Sequence, residues 1–142
     1  MTPFVVDASV AIKWVVNEAG TDKALALRRN SRLMAPELML AECANILWKK
    51  VRRSELSALE GRFAAMLIES TGIEFVEMRS LITEAAELAF ALDHPAYDCM
   101  YLALARQEEC QFVTADERLV RKLRQTTATD LRNIAILLDD CV

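Results

Sequence analysis

The sequence predicts an α/β protein in which a short central parallel sheet is covered on both faces by helices. Three observations carry that expectation. Short apolar segments such as Phe4-Val5-Val6 and Phe112-Val113 alternate with stretches of helical periodicity, the pattern of strands buried on both faces. The chain has 142 residues, 54% of them hydrophobic, enough for one substantial core. It has only three glycines, and no glycine-rich loop follows the first apolar segment, so dinucleotide and P-loop readings are poor.

The elements follow in order. Pro3 to Asp7 reads as a buried strand, and Ser9 to about Val16 as a helix with Ser9 as its N-cap. Asn17 and Gly20 break it, and Thr21 or Asp22 caps a helix ending near Arg32. Leu33-Met34-Ala35 reads as a second strand. Pro36 suits the first position of a helix running to about Arg53. Ser54 is the expected cap of the next helix, which carries Leu56, Leu59, Phe63, Met66 and Leu67 and ends at Thr71-Gly72. Ile73 to Val76 reads as a strand, and Leu81 to Leu92 as a helix. Asp93-His94-Pro95 interrupts the chain before a helix from about Ala96 to Glu109. Gln111 to Thr114 reads as a strand, Glu117 to Arg124 as a helix, and Ile134 to Leu138 as a last strand. No linker, repeat or low-complexity segment divides the chain, so residues 1–142 read as a single domain.

Composition excludes several classes. No apolar run approaches the roughly 20 residues of a membrane span. The N-terminus lacks a basic stretch followed by an apolar one, so a cytoplasmic protein is expected. Cys43, Cys99, Cys110 and Cys141 form no Cys-x-x-Cys pair, which favours free buried thiols over a zinc site. The formal net charge of -4 argues against a protein that clamps a long duplex electrostatically.

Four acids stand in awkward places. Asp7 ends the first strand, and Asp116 follows the strand Gln111 to Thr114. Both therefore point to the carboxyl edge of the sheet, where open α/β folds place their functional crevice. Asp98 opens a helix, and Glu42 lies on an apolar helix stripe with Leu38, Ala41, Asn45 and Ile46. Each has a bland reading alone: a cap for Asp7, a helix-start acid for Asp98, a pair with Lys49 for Glu42. Together the carboxylates would repel, and a divalent cation removes that repulsion, so the set suggests an oxygen-ligand metal site. Asn45, one turn beyond Glu42, is placed to hold that carboxylate.

The remaining polar residues read more plainly. His94, the only histidine, sits before Pro95 and reads as a turn residue. Lys49-Lys50-Val51-Arg52-Arg53 closes a helix where cations are favoured. Arg118, Arg121, Lys122 and Arg124 read equally well as phosphate contacts or as a solvated face. Trp14 and Trp48 read as core or interface residues.

Four segments carry a family resemblance: Val5-Val6-Asp7-Ala8-Ser9, Glu42-Cys43-Ala44-Asn45-Ile46-Leu47, Tyr97-Asp98-Cys99-Met100-Tyr101-Leu102-Ala103-Leu104-Ala105, and Phe112-Val113-Thr114-Ala115-Asp116-Glu117-Arg118-Leu119. In this order and at these separations the chain resembles the PIN-domain family, specifically the small toxins of VapBC toxin–antitoxin systems. The resemblance implies a three-layer α/β/α Rossmann-like fold and a metal-dependent ribonuclease. By position Asp7, Glu42, Asp98 and Asp116 would bind Mg²⁺ or Mn²⁺, with Ser9 and Thr114 in support. It also implies an RNA substrate, a homodimer, and a small antitoxin that inserts near the acidic pocket. A non-toxin module of the same fold, acting in RNA processing or metal-dependent partner binding, is the alternative. A haloacid-dehalogenase-type phosphatase needs an acid where Ser9 stands, and a phospho-acceptor receiver needs adjacent acids where Val6-Asp7 offers one.

Overall fold

The computed structural model describes residues 1–141. In chain order the elements are β1 (Thr2–Val6), α1 (Ala8–Val15), α2 (Thr21–Asn30), β2 (Ser31–Pro36), α3 (Leu38–Arg52), α4 (Ala58–Glu69) and β3 (Glu74–Val76). There follow α5 (Ile82–Leu92), α6 (Ala96–Gln107), β4 (Gln111–Thr114), α7 (Glu117–Arg124) and β5 (Ala135–Leu137). A short 3₁₀ turn, Met78–Ser80, lies between β3 and α5, and another, Leu138–Asp140, follows β5.

The strands form one sheet in the order β3-β2-β1-β4-β5, and every pairing is parallel. Parallel neighbours require crossover connections, and helices supply them. Helices flank the sheet in the three-layer α/β/α arrangement expected from the sequence. On the strands nearest the centre Val5, Val6, Phe112 and Val113 are fully buried. Helix α6 packs on β1, β2 and β4 and buries Cys99 and an unbroken run from Tyr101 to Ala105. The Tyr101 and Phe112 rings stack with centroids 5.3 Å apart. No helix among the described residues is long and apolar enough to cross a membrane. All four cysteines are free, Cys43 and Cys99 buried and the other two half-buried.

The order of the strands fixes where a crevice opens. From β1 the chain crosses to β2 on one side, whereas β4, on the other, arrives much later. The carboxyl ends of β1 and β4 therefore diverge into connections on opposite sides, which is the topological switch point of an open α/β sheet.

Several caps differ from the sequence expectation. Asp7, not Ser9, caps α1: its backbone is extended and its side chain accepts from the Val10 amide. Gly20, at φ 90°, precedes α2, so neither Thr21 nor Asp22 is its cap. Thr21 instead accepts from the Glu18 amide through Oγ1. Pro36 ends β2 rather than starting α3, and Glu37 precedes that helix without a side-chain cap. Ser54 lies in the left-handed region at φ 61°. Ser57 caps α4 through a reciprocal capping box with Glu60.

Candidate active site

Asp7 is set where β1 hands over to α1. Ser9 Oγ donates to one carboxylate oxygen and Thr114 Oγ1 to the other, each at 2.5 Å. The Val10 amide adds a third, longer bond at 3.3 Å. The same two hydroxyls tie the strand ends together. Ser9 Oγ accepts from the Ala115 amide at 3.1 Å, and Thr114 Oγ1 accepts from the Asp116 amide at 3.1 Å. Thr114 is fully buried. Asp116 caps α7 by accepting from the Leu119 amide at 3.1 Å.

The other two acids come from the helices. Glu42 lies on α3, half-buried, and accepts a hydrogen bond from the Tyr101 hydroxyl. Tyr101 is otherwise sealed in the core, so its phenol has one polar outlet. Asp98 stands in the first turn of α6, and its Oδ2 lies 2.6 Å from His94 Nε2.

All four acids line one cavity of ≈ 450 Å³ at the carboxyl edge of the sheet, together with Ser9, Asn45, Lys49, Tyr97 and Tyr101. Asn45 is exposed there, and the partner of Glu42 is Tyr101 rather than Asn45. Lys49 is likewise exposed, and Glu42 is not its ion-pair partner among the described residues. A larger cavity of ≈ 830 Å³ opens elsewhere, between the end of α1 and α4, lined by Val15, Leu56 and Phe63. It borders a Lys13–Glu18–Lys50 ion-pair cluster and none of the four acids.

Burial pushes the Asp7 carboxyl up from its ordinary 3.8 to about 6, against the lowering pull of Ser9, Thr114 and the Val10 amide, with Asp98 adding to the rise. Glu42 is also raised, by burial first and again by Asp98. These are the signs of negative charge crowded into a partly dry site. The adjacent thiols are not donors: burial pushes Cys43 up to about 12 and Cys99 up to about 11.

As they stand, no three His, Cys, Asp or Glu side chains among the described residues form a ready-made cage for an ion. The donor chemistry nonetheless fits a hard divalent cation. The four acids supply oxygen only, and a positive charge among them offsets the burial and repulsion that raise Asp7 and Glu42. An open set of this kind suits an ion that keeps several of its waters.

Sequence reasoning did not find Tyr101, which is separated from Glu42 by 59 positions; nothing local links two such residues. His94 does lie in the turn before α6, as the sequence indicates, and its ring also meets Asp98. His94 lies outside α6, which begins at Ala96, so no helical spacing signals that contact.

The PIN domain family matches residues 4–124. Ribonuclease VapC9 of Mycobacterium tuberculosis is 33% identical over 115 residues, covering 81% of this chain and 87% of the relative. PAE2754 from Pyrobaculum aerophilum shares the fold at a TM-score of 0.71 and 24% identity, over 98% of this chain and 85% of that one. VapBC2 from Rickettsia felis, bound to a DNA fragment from its promoter, shares the fold at a TM-score of 0.65 and 13% identity, over 96% and 98%. The chain belongs to the PIN-domain family and groups with the VapC ribonucleases.

Proposed function

We propose that this chain is a ribonuclease that hydrolyses RNA phosphodiester bonds with Mg²⁺ or Mn²⁺, and that it is the toxin of a toxin–antitoxin pair. One observation supports the reading above others. Acids from the ends of β1 and β4, from α3 and from the start of α6 line a single cavity at the switch point of the sheet. The 33% identity to VapC9, a ribonuclease, points the same way. The partner follows from the family and from the naming of the VapBC2 assembly: a small antitoxin.

Asp7, Glu42, Asp98 and Asp116 would hold the cation. When bound, a divalent ion supplies charge neutralisation at the phosphate and lowers the pKa of a coordinated water. The protein's own part is orientation. Ser9 and Thr114 lock both oxygens of Asp7, so that carboxylate is presented in one rotamer. Tyr101 fixes Glu42 from beneath. Lys49 brings a cation to the rim, where an incoming phosphate passes. Carboxylates so held are also placed to orient the attacking water and take up its proton.

Purified protein freed of any partner should cleave RNA with Mg²⁺ or Mn²⁺ and stop when chelator is added. Asp7→Asn and Asp98→Asn should each lower the rate on the order of 100-fold or more, the scale of losing one electrostatic group in a preorganised site. Undiminished cleavage by both variants would sink the assignment. Induced expression should arrest growth, and Asp116→Asn should relieve it; normal growth at confirmed expression of the wild type would argue against a toxin.

A further inference from the structure

We infer that His94 is a positioning residue for Asp98: its imidazole, set in one tautomer by Lys122, aims the Asp98 carboxylate into the acidic cavity. This rests on the nuclease reading of that cavity and concerns how one of its acids is held.

The contact is specific. His94 Nε2 lies 2.6 Å from Asp98 Oδ2. On the far side of the ring, Nδ1 lies 3.4 Å from Lys122 Nζ, which also donates to the Asp93 carbonyl at 2.7 Å. An ammonium has donors only, so in the neutral ring Nδ1 is the acceptor of this contact. That leaves the ring hydrogen on Nε2, where it donates to Asp98. The pair is shielded, with side-chain exposures of 15% for His94 and 33% for Asp98.

Asp98 depends on this bond more than its neighbours would. Asp7 is held by Ser9, Thr114 and the Val10 amide, Asp116 by the Leu119 amide, and Glu42 by Tyr101. For the Asp98 side chain, His94 is the only hydrogen-bond partner among the described residues. It engages Oδ2 and leaves Oδ1 without a donor among the described residues. A carboxylate on an open helix start otherwise samples several rotamers.

The turn that carries His94 is itself stiff. Asp93 occupies the left-handed region at φ 50°, and the ring of Pro95 sets its φ at -54°. Lys122, from α7, fastens this turn through the Asp93 carbonyl. Helix α7 begins at Asp116. One lysine thus couples the element that starts at one acid to the turn that orients another.

His94 is the only histidine in the chain, so its ring nitrogens are resolved without assignment. ¹⁵N NMR of the cation-free protein in mildly alkaline buffer should show the Nε2–H tautomer, and Lys122→Met should shift the population toward Nδ1–H. Mn²⁺ binding to the RNA-free protein is then followed by electron paramagnetic resonance. His94→Ala should weaken it about 10- to 100-fold, the usual cost of removing a group that orients a metal ligand. At saturating Mn²⁺ its KM for RNA should be unchanged. His94→Gln, which keeps a side-chain N–H donor, should restore most of the affinity, whereas a purely structural histidine would show no such selective rescue. A dominant Nδ1–H tautomer in the wild type would overturn the inference. So would wild-type Mn²⁺ affinity in His94→Ala, or equal loss in the Gln and Ala variants. If His94→Ala does not fold, the tautomer and the Gln and Lys122 variants still decide it. Failure of the wild type to bind Mn²⁺ or cleave RNA would instead overturn the nuclease reading, with the tautomer still judging the His94–Asp98 contact.

Discussion

Asp7 shows how a functional group and a stable fold pull apart. Its carboxyl is raised from 3.8 to about 6, chiefly by burial. A raised acid binds its proton more tightly in the folded chain than in the unfolded one. Its contribution to stability is therefore greatest at low pH and is lost as the pH climbs from 3.8 to about 6, staying low above that. Asparagine keeps the cap on α1 and can still bond to the two hydroxyls, but carries no charge to bury. In chelator, Asp7→Asn should therefore be more stable than the wild type near neutrality. A shift of this size corresponds to about 3 kcal/mol at most. The gain should shrink as the pH falls through the same window, and urea unfolding at several pH values measures it. A variant equally stable at every pH would show that Asp7 is not desolvated. Such a gain, paired with lost cleavage, is the trade expected of a residue kept for chemistry.

At the scale of elements, the caps are where sequence and structure part. Ser57, with Glu60 three residues on, satisfies two helix-end groups reciprocally. Ser57→Ala should cost about 1 kcal/mol, whereas Ser54→Ala should cost little, because Ser54 caps nothing. Ser54→Gly should stabilise by a few tenths of a kcal/mol or more by relieving its positive φ. Equal losses at Ser54 and Ser57 in denaturant titrations would contradict this. The Ser-x-x-Glu pattern at Ser57 is the better signature of a helix start; Ser54 has no Glu or Gln three residues on. The strands were legible because Phe4-Val5-Val6 and Phe112-Val113 are apolar without the i, i+3, i+4 rhythm of a helix. The acids at their ends were legible because a charge at the end of a buried run is conspicuous. Their partners were not: Thr114 meets Asp7 across 107 positions and Tyr101 meets Glu42 across 59. Strand order brings Thr114 to Asp7, and the packing of α3 and α6 on β2 brings Tyr101 to Glu42; no local pattern encodes either.

The whole molecule poses an electrostatic problem: a chain of net charge -4 with an acidic cavity must accept a polyanion. Its cations do little to help at the cleft. Lys13 and Lys50 are paired with Glu18, Arg32 with Glu74, and Arg106 with Asp130. Among the described residues, Lys49 is the only lysine or arginine lining the acidic cavity. If the phosphate backbone is drawn in mainly by a bound divalent ion and one lysine, few monovalent counterions are displaced from the RNA. Two consequences follow together. In chelator, labelled RNA should bind weakly at moderate salt, because the unneutralised carboxylates repel it over about a Debye length. With saturating Mn²⁺, the KM for cleavage should vary only shallowly with monovalent salt, with a logarithmic slope of roughly 2 or less, against the steep slopes of proteins that grip many phosphates. Lys49→Met should raise KM and flatten that slope further, with kcat less affected. Tight RNA binding in chelator with a steep salt dependence would mean that the exposed arginines of α7, Arg118, Arg121 and Arg124, rather than the cleft, set the affinity.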